Sequence, residues 1–229
     1  GGSFGRLRRD FDVLPPGDIR NCMVALSQDE TMLARLFNYR FASGRGLKGH
    51  SFGNLFLTAM THITGDFAQA IRDSAEVLAV AGHIYPSTAA NVRLEAVLAD
   101  GSRVLGETRI SRSRERIERV YLMPRHARPL KETLAAIAAA DLITLGPGSL
   151  FTSVIPNLLV SGIPKAIAEA RATKVYFSNL MTQPGETSGF KASDHVEMLL
   201  KHCGAYRERI LDVCVVNSGT LGSGAVKAY

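Results

Sequence analysis

Four glycine-rich segments carry the residue types that could do chemistry in this chain. The densest is Gly146-Pro147-Gly148-Ser149, followed by Thr152, Ser153 and Asn157. It comes directly after the apolar run 142–145 and before a new helix, so its glycines let backbone N–H groups approach an anion while the helix start adds partial positive charge. A tight strand-to-helix turn that needs glycine for its dihedrals is the bland reading of the same letters; the hydroxyl and amide side chains beyond it favour a ligand. A second polar loop, 179–189, follows the apolar run 175–177, and two such loops at one sheet edge make one cleft. There Asn179, Thr182 and Gln183 are placed to read a base or sugar, and Glu186 to cap a backbone N–H or bind a hydroxyl, against a simple solvated loop for each. The third segment, Gly49-His50-Ser51-Phe52-Gly53-Asn54, opens a helix, where His50 can donate to a phosphate, move a proton or serve the turn. The fourth is Gly1-Gly2-Ser3-Phe4-Gly5-Arg6, with Arg8 beyond it.

Several familiar chemistries do not fit. The third and fourth segments both spell Gly-x-Ser-x-Gly, but a nucleophile elbow needs a strand before it and neither has one. There is no Gly-x-x-x-x-Gly-Lys-Ser and no His-Glu-x-x-His. The Gly-x-Gly-x-x-Gly match at 44–49 follows a helix, and the Gly146 loop lacks that spacing and has Asn179 where a dinucleotide site wants an acid, which weakens an oxidoreductase reading. Three scattered cysteines, Cys22, Cys203 and Cys214, form no Cys-x-x-Cys pair, so neither a disulfide framework nor a zinc site is expected and a reducing compartment fits. Lysine and arginine number 27 against 21 acids, a net charge of +6. The densest basic run, 109–119, contains Glu115 and Glu118 and the chain has no tryptophan, so the positive potential suits a small anion better than nucleic acid. No apolar run approaches the roughly 20 residues of a membrane span, and residues 1–9 hold no secretory apolar stretch. A cytoplasmic protein with no membrane span is expected.

The elements that must position these loops follow from periodicity. A helix capped by Asp18 runs to about residue 26, and a second over 31–41 places Leu33, Leu36, Phe37 and Phe41 on one face. After a glycine-rich loop at 42–49 come helices over 50–63 and 66–80, the latter capped by Asp66. The period then changes: Val92, Leu94, Ala96 and Leu98 alternate, Asp100-Gly101 is a hairpin turn, and strands over 104–110 and 117–122 complete an antiparallel insertion, 91–122, on one edge of a single domain 1–229. From residue 129 helices over 129–140, 154–161, 164–172 and 194–203 alternate with strands 142–145, 175–177 and 213–216. That rhythm predicts an α/β fold with a mostly parallel sheet covered by helices.

The stretches GGSFGRLR, LPPGDIRNCMVALS, GLKGHSFGNLFL, GDFAQAI, ADLITLGPGSLFTSVIPNLLV and NLMTQPGETSGFKASDH span nearly the whole chain. Together they resemble the gluconeogenesis factor family, which belongs with 2-phospho-L-lactate transferase in one superfamily. The resemblance implies a Rossmann-like three-layer fold and a cytoplasmic bacterial protein needed for cell shape on gluconeogenic carbon sources, binding a UDP-sugar such as UDP-N-acetylglucosamine without an established reaction. The alternative it implies is a transferase that moves a phospholactyl group from a nucleotide carrier to a deazaflavin with a divalent metal such as Mg2+; no other cofactor or metal site is expected, and a homodimer is compatible. The candidate ligand-binding set is Gly1, Gly2, Ser3, Asp18, Asn21, His50, Asn54, Gly146, Pro147, Gly148, Ser149, Thr152, Asn157, Asn179, Thr182 and Tyr229, the last resembling an aromatic on which a uracil ring stacks. Family members begin with a strand, a Gly-Gly-Gly-Thr-Gly loop and an Asp-Asp pair ahead of Gly1-Gly2-Ser3, and continue with strands beyond Tyr229. The resemblance therefore implies a fragment, with Phe4 standing where the family has a small residue.

Overall fold

Four amphipathic helices in the first part of the chain bury their apolar stripes against one another. In the computed structural model, which describes residues 16–27 and 32–219, they are α1 (Pro16–Leu26), α2 (Met32–Asn38), α3 (Phe52–Thr64) and α4 (Phe67–Val77). They belong to one of two compact units, residues 1–91 with 128–133; the other is 92–127 with 134–229. Met23, Phe37, Leu57, Ile71 and Leu78 form the core of the first unit, and Phe52 and Phe56 pack edge-on against Phe37. Ser51 and Asp66 cap α3 and α4 by accepting from the N–H of Asn54 and Gln69, which satisfies donors that the first turn leaves open.

Two expectations here are corrected. Helix α1 begins at Pro16, so Asp18 is not its cap; it stands in the first turn, where its charge faces the positive end of the helix. Helix α2 stops at Asn38, because Phe41 leaves it to exchange backbone hydrogen bonds with His50 and Gly49, and Leu36 is exposed.

The second unit opens with an antiparallel sheet of β1 (Arg93–Leu98), β2 (Arg103–Leu105) and β3 (Ile117–Met123) in the order β2-β1-β3. Leu94, Ala96 and Leu98 are buried in strict alternation, the period of a sheet with one covered face. The hairpin turns at Asp100-Gly101, with Gly101 at φ +81 and the Asp100 carboxylate accepting from Ser102 N–H. The expected strand 104–110 is shorter: β2 ends at Leu105, Gly106 swings to φ +95, and a single helical turn, α5 (Glu107–Ile110), buries Ile110 completely. The outer edge of β3 is covered by side chains of a later helix: Val120 N–H donates to His202 and Lys201 donates to Glu118 O.

After α6 (Lys131–Ala139) the chain forms β4 (Leu142–Leu145), β5 (Thr173–Phe177) and β6 (Val213–Val215), a parallel sheet in the order β4-β5-β6 with Leu145 opposite Tyr176 and Phe177 opposite Val215. The crossovers carry α7 (Ile155–Leu158), α8 (Ile163–Glu169) and α9 (Ala192–His202). The helix expected near residue 154 starts earlier, as a π-helical turn over Leu150–Val154 that leads into α7. The fold is therefore α/β, a parallel three-stranded sheet joined to a small antiparallel one. Among the described residues no single helix is long and apolar enough to cross a membrane; a bent pair, Leu150–Leu158 with Ile163–Glu169, passes by length and composition, and its Phe151, Ile155, Leu158, Ile163 and Ile167 are buried in the core.

The β3–α9 contact makes a pH prediction. His202 donates from Nδ1 to Met198 O at 2.7 Å and accepts the Val120 N–H on Nε2 at 3.0 Å, which fixes the neutral tautomer. Burial pushes its pKa down to about 4 from 6.5, against the Met198 carbonyl, with Arg119 and Lys201 adding to the fall. The unfolded chain therefore binds a proton that the folded one refuses, and stability drops as pH falls from 6.5 towards 4, by about 3 kcal/mol in all. Urea unfolding across this range is expected to show that slope in the wild type and a shallower one in His202→Gln, which keeps an acceptor but does not titrate.

Candidate functional site

The stretch from β4 to α7 is held in place by side chains from the loop after β5. Gly146 sits at φ +72, and a Cβ there would lie 2.7 Å from Phe177 O, so only glycine lets β4 turn this close to β5. Asn179 then grips Gly148 on both sides: the Gly148 N–H donates to Oδ1 at 3.0 Å and Nδ2 donates to the Gly148 carbonyl at 2.8 Å. Asn179 was expected to read a ligand; its amide is engaged on both sides by the Gly148 backbone.

A second brace is Glu186, only 3% exposed. Its Oε1 accepts from the hydroxyls of Thr152 at 2.7 Å and Ser111 at 3.0 Å, and its Oε2 accepts from Phe151 N–H at 3.2 Å. The expectation that Glu186 would cap a backbone N–H or bind a hydroxyl holds, with the chain's own hydroxyls as partners. Thr152, expected to face a ligand, spends its hydroxyl on this carboxylate. Its three donors replace the water that burial removes, and it fastens the π-helical turn to α5 and to the 179–189 loop. That loop is folded as a turn in which Gln183 N–H donates to Thr187 Oγ1 and Gln183 O accepts from Glu186 and Thr187. It is the backbone of Gln183, another expected reader of a base or sugar, that holds this turn together.

The N–H groups of Gly148 and Phe151 are committed, while those of Ser149 and Leu150, at the start of this helical segment, have no protein acceptor among the described residues. Asn157 is exposed and donates to Ser153 O at 2.7 Å, and Thr182 is exposed. Gly148 differs from Gly146: an added Cβ would meet only Val154 at 3.5 Å and Ser153 at 3.7 Å, ordinary contact over the helix start.

In the first unit, the segments around Asp18 and His50 make a separate polar cluster. Arg20 donates to Ser51 Oγ at 3.1 Å and to Asn21 Oδ1, and the same Ser51 Oγ accepts from Asn54 N–H at 3.2 Å. Burial, then the nearby Arg40, lowers the Arg20 pKa, while Asp18 raises it. Arg20 Nε and Asn54 Oδ1 are both buried with no hydrogen-bond partner among the described residues, an arrangement that costs free energy. Asp18 and Asn21 are exposed, and His50 is buried with its backbone carbonyl accepting from Phe41 N–H. Ser51 is fully buried as a helix cap and Gly53 is there because a Cβ would strike Arg20 and the Phe37 carbonyl at 2.8 Å. The Gly-x-Ser-x-Gly letters at 49–53 thus record a cap and a close helix approach, and no serine nucleophile. Gly1, Gly2, Ser3 and Tyr229 lie outside the described residues.

A model of the family described as 2-phospho-L-lactate transferase CofD matches residues 1–229. This chain belongs to that family. The gluconeogenesis factor of Bacillus subtilis is 49% identical over all of this chain, which spans 71% of that protein. The gluconeogenesis factor of Halalkalibacterium halodurans is 52% identical over 89% of the chain and 63% of its own length. A relative from Nostoc is 51% identical over the whole chain, which spans 50% of it. The chain thus spans about half to two thirds of the length of these last two relatives. Crystal structures of a Bacillus halodurans protein of the upf0052 family superpose with a TM-score of 0.94 at 48% identity, covering 100% of this chain and 73% of that one.

Two residues of the polar cluster around Asp18 and His50 escaped the sequence reading. Arg20 stands beside Asp18 and Asn21, in a motif whose helical phase could have flagged it, and Ser51 was visible only as a letter in a false motif. Among the described residues no three His, Cys, Asp or Glu side chains gather as a divalent metal would require. The thiols are no better as nucleophiles: burial raises the pKa of Cys22 and of Cys214, and pushes Cys203 up to about 12.

Proposed function

We propose that this chain is the core of a nucleotide-sugar-binding regulatory protein. It takes a UDP-sugar such as UDP-N-acetylglucosamine and serves cell morphogenesis on gluconeogenic carbon sources in the cytoplasm, as a gluconeogenesis factor. The observation that supports this most is the Gly146 to Ser149 loop. Asn179 and Glu186 hold it rigid from behind, and it leaves the Ser149 and Leu150 amides to a diphosphate. A loop braced before the ligand arrives loses little ordering entropy on binding. We assign base stacking to Tyr229.

The experiment is calorimetric titration of UDP-N-acetylglucosamine into full-length wild type and Gly148→Ala. Alanine fits at 148 without a clash, yet its methyl lies over the helix start, so affinity is expected to fall by more than about tenfold, roughly 1.4 kcal/mol, at an unchanged melting temperature. Equal affinity in a folded Gly148→Ala protein removes the loop from the site. Asn179→Ala, by contrast, is expected to lower both affinity and melting temperature, because it removes the brace. The family match supports a second reading, a 2-phospho-L-lactate transferase-like enzyme with a metal and a deazaflavin acceptor; saturable deazaflavin binding in the same titration distinguishes it from the first.

A further inference from the structure

The Glu186 brace has a second face. Between the Ser111 to Ile117 segment and the 185–190 loop lies a cavity of about 320 Å³ whose walls include Ser113, Arg114, Arg116, Glu186, Ser188 and Phe190. We propose that this cavity is a binding site for a compact phosphate monoester, held by Arg114 and Arg116 and separate from the loop at Gly146.

Its charge comes from the basic run 109–119, where five arginines stand against Glu115 and Glu118. Glu118 is partnered by Lys201 at 3.6 Å, and Glu186 has spent its oxygens on Ser111, Thr152 and Phe151. Glu115 and Glu186 both stand on the wall, so five arginines are set against three acids, one of which, Glu118, is paired with Lys201. No carboxylate lies within ion-pair distance of Arg109, Arg112, Arg114 or Arg116 among the described residues. An oxyanion is the complement to such a surplus.

The geometry is set in advance. The Arg116 guanidinium stacks over the Phe190 ring at 5.4 Å from its centroid, and Phe190 is itself fixed edge-on by Phe151 at 6.1 Å and His195 at 5.4 Å. Stacking occupies the face of a guanidinium and leaves its in-plane N–H fork for a phosphate. Gly185 closes the back wall, packed so tightly on Ser111 O that no side chain fits there. Ser188 adds an exposed hydroxyl, and the volume lies at the small end of ligand sites, room for a phosphoryl group on a few-carbon body. Glu186 lines the cavity and also holds Phe151 and Thr152 behind the Gly146 loop.

The test is calorimetric titration of glycerol 3-phosphate and of inorganic phosphate into the full-length protein at constant ionic strength, with Arg114→Gln, Arg116→Gln and Arg171→Gln variants. Arg171 is an exposed arginine outside this cavity. Saturable binding of the monoester is expected, weaker by about tenfold in each of the first two variants and unchanged in Arg171→Gln; inorganic phosphate alone is expected to bind more weakly, for want of the body. Should Arg116→Gln lose its fold with the Phe190 contact, the exposed Arg114→Gln decides. Absence of saturation in the wild type, equal weakening by Arg171→Gln, or full affinity in Arg114→Gln each overturns the proposal. None of these outcomes depends on whether the Gly146 loop binds a nucleotide.

Discussion

Replacing Glu186 by alanine is expected to lower the melting temperature by roughly 6 to 12 °C, which for a chain of this size corresponds to about 3 kcal/mol. The carboxylate is the shared acceptor for Ser111, Thr152 and the Phe151 N–H. Its removal leaves a backbone donor with no partner in a buried place. The two hydroxyls can rotate to other acceptors, but the amide of Phe151 cannot, and that asymmetry makes the loss larger than a single average hydrogen bond. Glu186→Gln is the informative companion. Its single carbonyl oxygen can serve one side of the cluster while its amide turns a donor towards groups that are already donors, so it should fall between wild type and alanine. Thermal unfolding followed by circular dichroism ranks the three. If alanine and wild type melt together, Glu186 is not the brace described.

Gly185→Ala is expected to be more damaging still, by 3 kcal/mol or more on the order of magnitude typical of overpacking combined with forbidden backbone. The residue stands at φ +82, and its added Cβ would run into the Ser111 carbonyl, with the Ser113 carbonyl also at 3.4 Å. Both neighbours are backbone, so neither can rotate out of the way. Gly189→Ala separates the two costs: at φ +76 it carries the same left-handed strain, but nothing lies within 4 Å of the new methyl. It should lose only about 1 kcal/mol. Urea unfolding of the two single variants checks the difference, and comparable losses would mean that the clash with Ser111 is relieved by a small movement of the loop.

Much of the architecture was readable because it rests on short-range rules. The alternation of Leu94, Ala96 and Leu98, the Asp100-Gly101 turn and the apolar run of β4 each specify their element from a window of a few residues. Where a neighbour distant in sequence intervened, the reading slipped. A strand over 104–110 has the right period, yet Gly106 and the space for Ile110 end it at Leu105. The helix expected at 154 begins at Leu150, because Glu186, 35 residues away from Phe151, caps that turn from the side.

The candidate site divides along the same line. By itself the sequence indicated that a glycine-rich turn follows the strand 142–145, that a polar loop follows each of the first two parallel strands, and that the surplus of arginine suits a small anion better than nucleic acid. Those are consequences of dihedral angles, hydropathy and charge, which each residue carries wherever the chain goes. Only the tertiary structure decided that Asn179, Thr152 and Glu186 spend their polar atoms on one another's segments, that Ser51 is a buried cap, and that Arg116 lies stacked on Phe190 beside a cavity. A hydrogen bond is exhausted by whichever partner reaches it first, and which partner that is depends on distances across the fold.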